Sequence, residues 1–339
     1  MPWKEHGDAY NIWLSEIILQ QTRVEQGRAY YERFAATYPT VVELAAAKDD
    51  DVMKLWEGLG YYSRARNLLK AARVITSQHG GQFPTTAKEL VKLPGVGPYT
   101  AAAIASFAFG EQVAVLDGNV YRILARYASV ATPIDTTQGR KEFNQLATTA
   151  LGDADAARFN QAIMDFGALV CTPKRASCPS CPLKKECKAL AEDKVYELPT
   201  KEKKLKKRNR YFNYLVIRDD SDRTIIRQRL KKDIWRDLYE FPLVETAAES
   251  IPTEGLAALP DWPHWLPAGE LEFEKRSQVY KQQLTHQTIF VVFHSFRWRL
   301  MPGSVGAATI TQNKLLKKFA FPRVITKFIE DKTLLLDLF

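Results

Sequence analysis

The sequence predicts a mostly α N-terminal part followed by an α+β C-terminal domain. Apolar residues recur with a period of 3.6 to about residue 190 and with a period nearer 2 beyond residue 211. A basic stretch separates the two regimes, and 339 residues are enough for two domains with cores of their own.

In the first part, Tyr10, Trp13, Leu14, Ile17, Ile18 and Gln21 share one helical face. Segments 28–37, 41–47, 51–58, 64–78, 86–92, 98–109, 117–127, 138–150 and 155–170 also read as helices, parted by polar or Gly/Pro breaks. No convincing run of strands interrupts them, so residues 1–190 form one helical domain. KEKKLKKRNR, with seven basic residues and one acidic, closes a linker over 191–210. From 211 to 339, YFNYLVIRD, DRTIIRQRL and TIFVVFHSFRWRL read as strands, whereas ITQNKLLKKFAFPRVITKFIED reads as helical segments broken at Pro322.

The 48 Lys and Arg against 39 Asp and Glu give a net charge of +9, which favours a polyanionic partner. No run of apolar residues is long enough to span a membrane, and MPWKEHGDAY has neither a basic n-region nor an apolar h-region. A cytoplasmic protein is expected. All four cysteines lie between 171 and 187, unlike the scattered cysteines of a secreted disulfide framework. Cys171, Cys178, Cys181 and Cys187 follow C-x6-C-x2-C-x5-C and could wrap one metal centre. By chemistry alone that centre is either zinc or a 4Fe-4S cluster.

Three further stretches carry chemistry. LPGVGPYT (93–100) places two glycines and two prolines just before a helix, a turn whose amides face outward at a helix N-terminus, where anions bind. An ordinary helix–turn–helix connection would use the same residues. Glu16 sits in IWLSEIILQQT, flanked by Ile12 and Leu19, on a helix apolar all round and hence buried. Burial disfavours the charged carboxylate, and a carboxyl that keeps its proton suits a general acid; a charge reaching solvent is the alternative. Asp117, in VAVLDGNVYRILARY, precedes Gly118 and Asn119 at the start of a helix, where it can act as N-cap, as a positioned carboxylate, or as both.

LPGVGPYT, LDGNV and the cysteine spacing together resemble the endonuclease III superfamily of base-excision DNA glycosylases. WLSEIILQQT, GLGYYSRARNL and LDGNVYR resemble its MutY family of adenine-specific enzymes most closely, and the resemblance extends through most of the chain. It implies a helix-hairpin-helix glycosylase domain with an iron–sulfur loop, joined to a Nudix (MutT-like) domain. Its substrate would be double-stranded DNA carrying adenine opposite 8-oxoguanine or guanine, bound by a monomer associated with the bacterial nucleoid.

By the same resemblance, Leu93, Gly95, Val96 and Gly97 form the hairpin that holds a DNA phosphate, and the cysteines bind a 4Fe-4S cluster. Glu16 protonates the adenine, Asp117 stabilises the oxocarbenium-like sugar, and Asn119 supports the pair. Trp3 and Leu19 line the adenine pocket, while Gln21 and Tyr61 wedge into the duplex. Tyr99 stands where lyase relatives carry a Schiff-base lysine; tyrosine forms no imine, so base hydrolysis without efficient strand cleavage is expected. The hydrolase signature GX5EX7REUXEEXGU is missing from IWRDLYEFPLVE, so the C-terminal domain should bind rather than hydrolyse. Leu284, Thr285 and His286 replace a usual Phe-Ser-His in reading 8-oxoguanine. At the start, Met1 stands where Leu precedes PW, and Lys4 replaces an arginine, keeping charge but losing bidentate geometry.

Overall fold

The structure, a computed structural model, describes residues 7–202, 207–247, 252–304 and 308–331. Trp3, expected in the adenine pocket, lies outside them. The chain divides into two compact units: Met1–Ala47 with Arg66–Lys204, and Lys48–Ala65 with Leu205–Phe339. Among the described residues, no helix is long and apolar enough to cross a membrane.

Helices come in the order α1 (Ala9–Leu19), α2 (Val24–Thr37), α3 (Val41–Ala46), α4 (Asp49–Leu55), α5 (Ser63–His79) and α6 (Ala87–Leu90). They continue with α7 (Pro98–Phe109), α8 (Gly118–Ala128), α9 (Thr137–Leu151), α10 (Ala156–Leu169) and α11 (Lys188–Ala191). The first unit is built around α1 and α7. Asp8 caps α1 by accepting from the Asn11 N–H at 2.7 Å, and Tyr10 and Ile12 to Ile18 are all buried. Helix α7 opens on Pro98, ends at the left-handed Gly110 and packs against α1, with the small residues Ala101, Ala102, Ala103 and Ala105 buried along it. Fully burying an Ile or Leu of this core stabilises by about 1.5–3 kcal/mol.

The stretch expected as a linker begins attached to this unit. Val195 and Leu198 are buried, and the Thr200 carbonyl accepts from the Ile134 N–H at 3.1 Å.

The second unit is an eight-stranded sheet: β1 (Arg208–Arg218), β2 (Arg223–Gln228), β3 (Tyr239–Glu240), β4 (Leu243–Thr246), β5 (Glu272–Arg276), β6 (Tyr280–Gln283), β7 (Gln287–Arg297) and β8 (Thr309–Gln312). Its path runs β3-β2-β1-β7-β5, with β4 on β1, β6 on β7 and β8 on β2. At its centre β1 and β7 run parallel, from Arg208 beside Gln287 to Arg218 beside Arg297. Both faces of this pair are covered, so Phe212–Ile217 and Val291–Phe296 are buried without alternation, as central parallel strands are. The period-2 pattern expected of them holds only loosely for that reason.

One expectation is corrected: Ile310 to Gln312 are not helical. They pair with β2, Ile310 opposite Ile225, where a β-branched residue completes the sheet. After the 3-10 turns of Asn313–Lys318, α13 (Arg323–Glu330) starts directly behind Pro322. Between β4 and β5 lies the short α12 (Thr253–Leu256).

His294 is fully buried in β7, with Nε2 3.1 Å from Asn213 Oδ1 and Nδ1 3.0 Å from Thr253 Oγ1. Burial, and then the charge of Arg276, bring its pKa from 6.5 down to about 4. Between those two values the unfolded chain binds a proton that the folded chain refuses. Stability is therefore full above the upper value and falls as pH drops through the window, by about 3 kcal/mol. Urea unfolding at both ends of the window checks this, and His294→Gln should remove that part of the slope.

Candidate active site

Four side chains expected in the site meet in the first unit. The Tyr99 hydroxyl, from the first turn of α7, donates to Glu16 Oε2 of α1 at 2.9 Å and lies 3.5 Å from Met164 Sδ of α10. Glu16 is 5% exposed, so its apolar helix does bury it. Burial above all, then the carboxylates of Glu16 and Asp117, push the Tyr99 phenol well above its ordinary value. It therefore stays protonated and donates, fixing the orientation of the Glu16 carboxyl. Beside it, Gln20 Nε2 donates to Thr100 Oγ1 at 3.1 Å, tying the end of α1 to α7.

Asp117 is the N-cap of α8. Its Oδ1 accepts from the Asn119 and Val120 N–H groups, both at 2.8 Å, and its Oδ2 accepts from Asn119 Nδ2 at 2.7 Å. Capping and positioning thus coexist: three N–H donors hold a half-buried carboxylate at the positive end of a helix. Asn119 is held in turn by Arg122 Nη2, 2.8 Å from its Oδ1. Arg122 also donates to the carbonyls of Gly167 at 2.6 Å and Cys171 at 2.7 Å.

Sequence reasoning passed over Arg122 and Gly167. An arginine one turn into a helix from a capping aspartate is the only trace of the first. Gly167 is dictated by close packing, since a Cβ there would stand 2.6 Å from Asn119 Cβ and 3.1 Å from Ile123 Cδ1. Gly167→Ala is expected to displace Asn119, cost about 1–3 kcal/mol of stability and lower turnover about 10²-fold. Thermal unfolding and single-turnover rates measure the two effects separately.

In the hairpin, Leu93 and Val96 point into the core, 4% and 5% exposed, which leaves the backbone to face outward. Gly95 has φ +77°, and a Cβ on it would meet Asn67 Cβ at 2.6 Å, so turn conformation and packing require glycine there. A Cβ on Gly97 would meet nothing within 4 Å. The first turn of α7 has amides without intrahelical partners, of which Pro98 contributes none. Leu19 ends α1 half-buried and packed over Gly27, whose Cβ would come 2.5 Å from Leu19 Cδ2. Gln21, just beyond, is exposed and left-handed at φ +55°.

The four cysteines form no disulfide and line one cavity with Arg126, Val170, Ala176, Leu190 and Val195. Arg126 Nη1 donates to Cys171 Sγ at 3.3 Å, and burial followed by the neighbouring thiols raises the Cys178 thiol. Among the described residues, no three His, Cys, Asp or Glu side chains are placed to hold a single metal ion.

In the second unit Leu284, Thr285 and His286 form the turn between β6 and β7. Leu284 N–H donates to the Gln287 carbonyl at 2.8 Å, and the His286 carbonyl accepts from the Arg208 N–H at 3.1 Å. Thr285 and His286 are exposed. The Thr285 hydroxyl lies 2.8 Å from that of Tyr61, which is 47% exposed and left-handed at φ +49°. Elsewhere in this unit several carboxylates are committed to arginines. Arg210 binds Asp233 at 2.8 Å and Glu245 at 2.6 Å, and Arg229 binds Glu240 at 2.9 Å.

The helical region matches the HhH-GPD superfamily of base excision DNA repair proteins over residues 14–148, and the sheet region matches the NUDIX domain over 213–331. The chain is 33% identical over 298 residues to the adenine DNA glycosylase of Buchnera aphidicola subsp. Schizaphis graminum, covering 86% of this chain and 81% of that one. It is 42% identical over 198 residues to the adenine DNA glycosylase of Homo sapiens, covering 56% of this chain and 36% of the human one. In three dimensions it is similar to a thermostable thymine-DNA glycosylase, with a TM-score of 0.53 and 30% identity over 57% of this chain and 88% of that one. Identity of this order, sustained through most of both chains, means that the chain belongs to the adenine DNA glycosylase family, a DNA glycosylase of base excision repair that hydrolyses N-glycosyl bonds.

Proposed function

We propose that the protein hydrolyses the N-glycosidic bond of adenine mispaired with 8-oxoguanine or guanine in double-stranded DNA, and does so without efficient strand cleavage. The observation that carries this reading is the Tyr99 hydroxyl seated on Glu16, with Asp117 near enough for its charge to act on the same phenol. Adenine is turned out of the stack, and Glu16 gives the base its proton as general acid. The glycosidic electron pair leaves with the base, and positive charge grows on the sugar. Asp117, held by Asn119, stabilises that charge or bonds to it transiently until water adds. Tyr99 offers no amine, so no imine to the sugar forms and the phosphodiester is left intact.

Leu19, with Trp3, lines the adenine pocket. Gln21 and Tyr61 are the duplex wedges, and the strained conformation of both supports the assignment, since such backbone is kept where function requires it. The amides around Gly95 and Gly97 grip a phosphate, Leu93 and Val96 anchoring them from below. Thr285, with Leu284 and His286, reads the base opposite the adenine. The carboxylates tied to Arg210 and Arg229 support a C-terminal domain that binds rather than hydrolyses.

Four thiols lining one cavity, Cys171, Cys178, Cys181 and Cys187, with no disulfide among them, support a 4Fe-4S cluster, whose four corners take thiolates farther apart than one zinc does. When bound, the cluster clips this loop together. The protein works as a cytoplasmic monomer on nucleoid DNA.

Single-turnover assays on duplexes with adenine opposite 8-oxoguanine, guanine or cytosine, and with thymine opposite guanine, test the reading. Adenine should leave fastest opposite 8-oxoguanine, then opposite guanine. Release of thymine would favour the activity named for the thymine-DNA glycosylase of similar fold.

A further inference from the structure

The loop presenting Tyr61 is fastened to residues more than 250 positions away. It follows α4 and holds three left-handed positions out of four: Gly58 (φ +90°), Gly60 (φ +79°) and Tyr61 (φ +49°). A tyrosine in that conformation is strained and persists only where its surroundings over-determine the loop. Those surroundings are the turn at 319–321, ahead of α13. Lys54 Nζ donates to the Phe319 carbonyl at 2.9 Å and pairs with Glu57. Glu57 Oε1 accepts from the Phe321 N–H at 2.8 Å, and the Tyr62 hydroxyl donates to the Phe321 carbonyl at 3.4 Å.

Phe321 is a firm anchor. It is 2% exposed and stacks on Phe241, which meets Phe293 and Phe328 edge-on in the core of the sheet. Within the loop, Trp56 Nε1 and Arg64 Nη2 donate to the Gly60 carbonyl at 3.0 and 3.3 Å. The Arg64 guanidinium lies over the rings of Trp56 and Tyr61, at 5.1 and 5.5 Å. The tip then closes on the sheet through Tyr61 and Thr285.

We infer that Glu57, with Lys54, is a positioning residue for base discrimination: it makes the Tyr61 loop a rigid extension of the sheet, fixing the separation of Tyr61 and Thr285. This rests on the reading of those two residues given above. A wedge and a reader acting on one base must keep their spacing, because displacements near 1 Å are enough to lose discrimination. Without the Glu57 carboxylate, the Phe321 amide loses its acceptor and Lys54 its counter-charge.

The test compares full-length wild type, Glu57→Ala and Glu57→Gln by hydrogen exchange and by single-turnover rates for adenine opposite 8-oxoguanine and opposite guanine. In Glu57→Ala, amides 58–62 should exchange about tenfold faster and the ratio of the two rates should fall about tenfold. Exchange in α9 should not change, which shows that the variant is folded, and the rate opposite guanine should hold. Glu57→Gln, whose amide oxygen still accepts from Phe321 but whose amide nitrogen cannot accept from Lys54, should fall between wild type and Glu57→Ala in both. Unchanged exchange at 58–62 in Glu57→Ala, or faster exchange with an unchanged ratio, overturns the inference. A wild-type ratio of one overturns the reading of Tyr61 and Thr285, and the discrimination role of Glu57 with it, whatever the exchange shows.

Discussion

Glutamine in place of Glu16 is expected to slow adenine release about 10²–10⁴-fold while leaving DNA affinity and folding intact. The substitution is close to isosteric. The new amide oxygen can still accept from the Tyr99 hydroxyl, which stays protonated because its phenol is pushed well above its ordinary value. On the proposed mechanism the substitution removes the group that protonates the departing base, because an amide has no acidic proton to give. Single-turnover rates set beside gel-shift binding separate these effects. A loss of rate matched by an equal loss of binding would reassign Glu16 to binding or packing.

Asp117→Asn is the second large effect. Asparagine is as good an N-cap as aspartate, so α8 should start where it does now and stability should change by less than about 1 kcal/mol. Its Oδ1 can go on accepting from the Asn119 and Val120 N–H groups. The charge disappears where the proposed mechanism makes the sugar cationic, and the acceptor of the Asn119 side chain goes with it, since an amide nitrogen in place of Oδ2 cannot accept. Removing one such electrostatic partner lowers turnover about 10²–10³-fold. Thermal unfolding and single-turnover kinetics on one preparation check both halves. A variant that unfolds earlier but turns over normally would leave Asp117 as a cap and nothing more.

Features with a local cause were legible in the sequence. A glutamate on a helix apolar all round pointed to burial, and an aspartate ahead of Gly-Asn pointed to a helix cap. Four cysteines in 17 residues could line one cavity by loop closure alone. The turn at 93–100 was legible as a turn, although Gly95 owes its identity to its left-handed φ and to the distant Asn67, which no local pattern reveals.

What could not be read depends on distant partners. Tyr99 reaches Glu16 across 83 residues, and Glu57 reaches Phe321 across 264. Residues 48–65 continue the helical pattern of the first part, yet they group with the sheet, because Asp50, Lys54 and Glu57 find their partners there. The strand Thr309–Gln312 is too short to show its own period beside the lysine-rich turns that follow. The covered central strands hid the alternation that marks a half-exposed strand.

The proposed reaction is hydrolysis of the N-glycosidic bond of adenine at a site where Tyr99, which forms no imine, sits on Glu16. Its most direct measurement is a single-turnover incubation with a duplex holding one adenine opposite 8-oxoguanine, split into samples with and without hot alkali. Strand breakage only after alkali is the predicted result, since base loss leaves an intact but alkali-labile strand. Breakage without alkali would contradict it, because some group other than Tyr99 would then be acting as an imine-forming nucleophile.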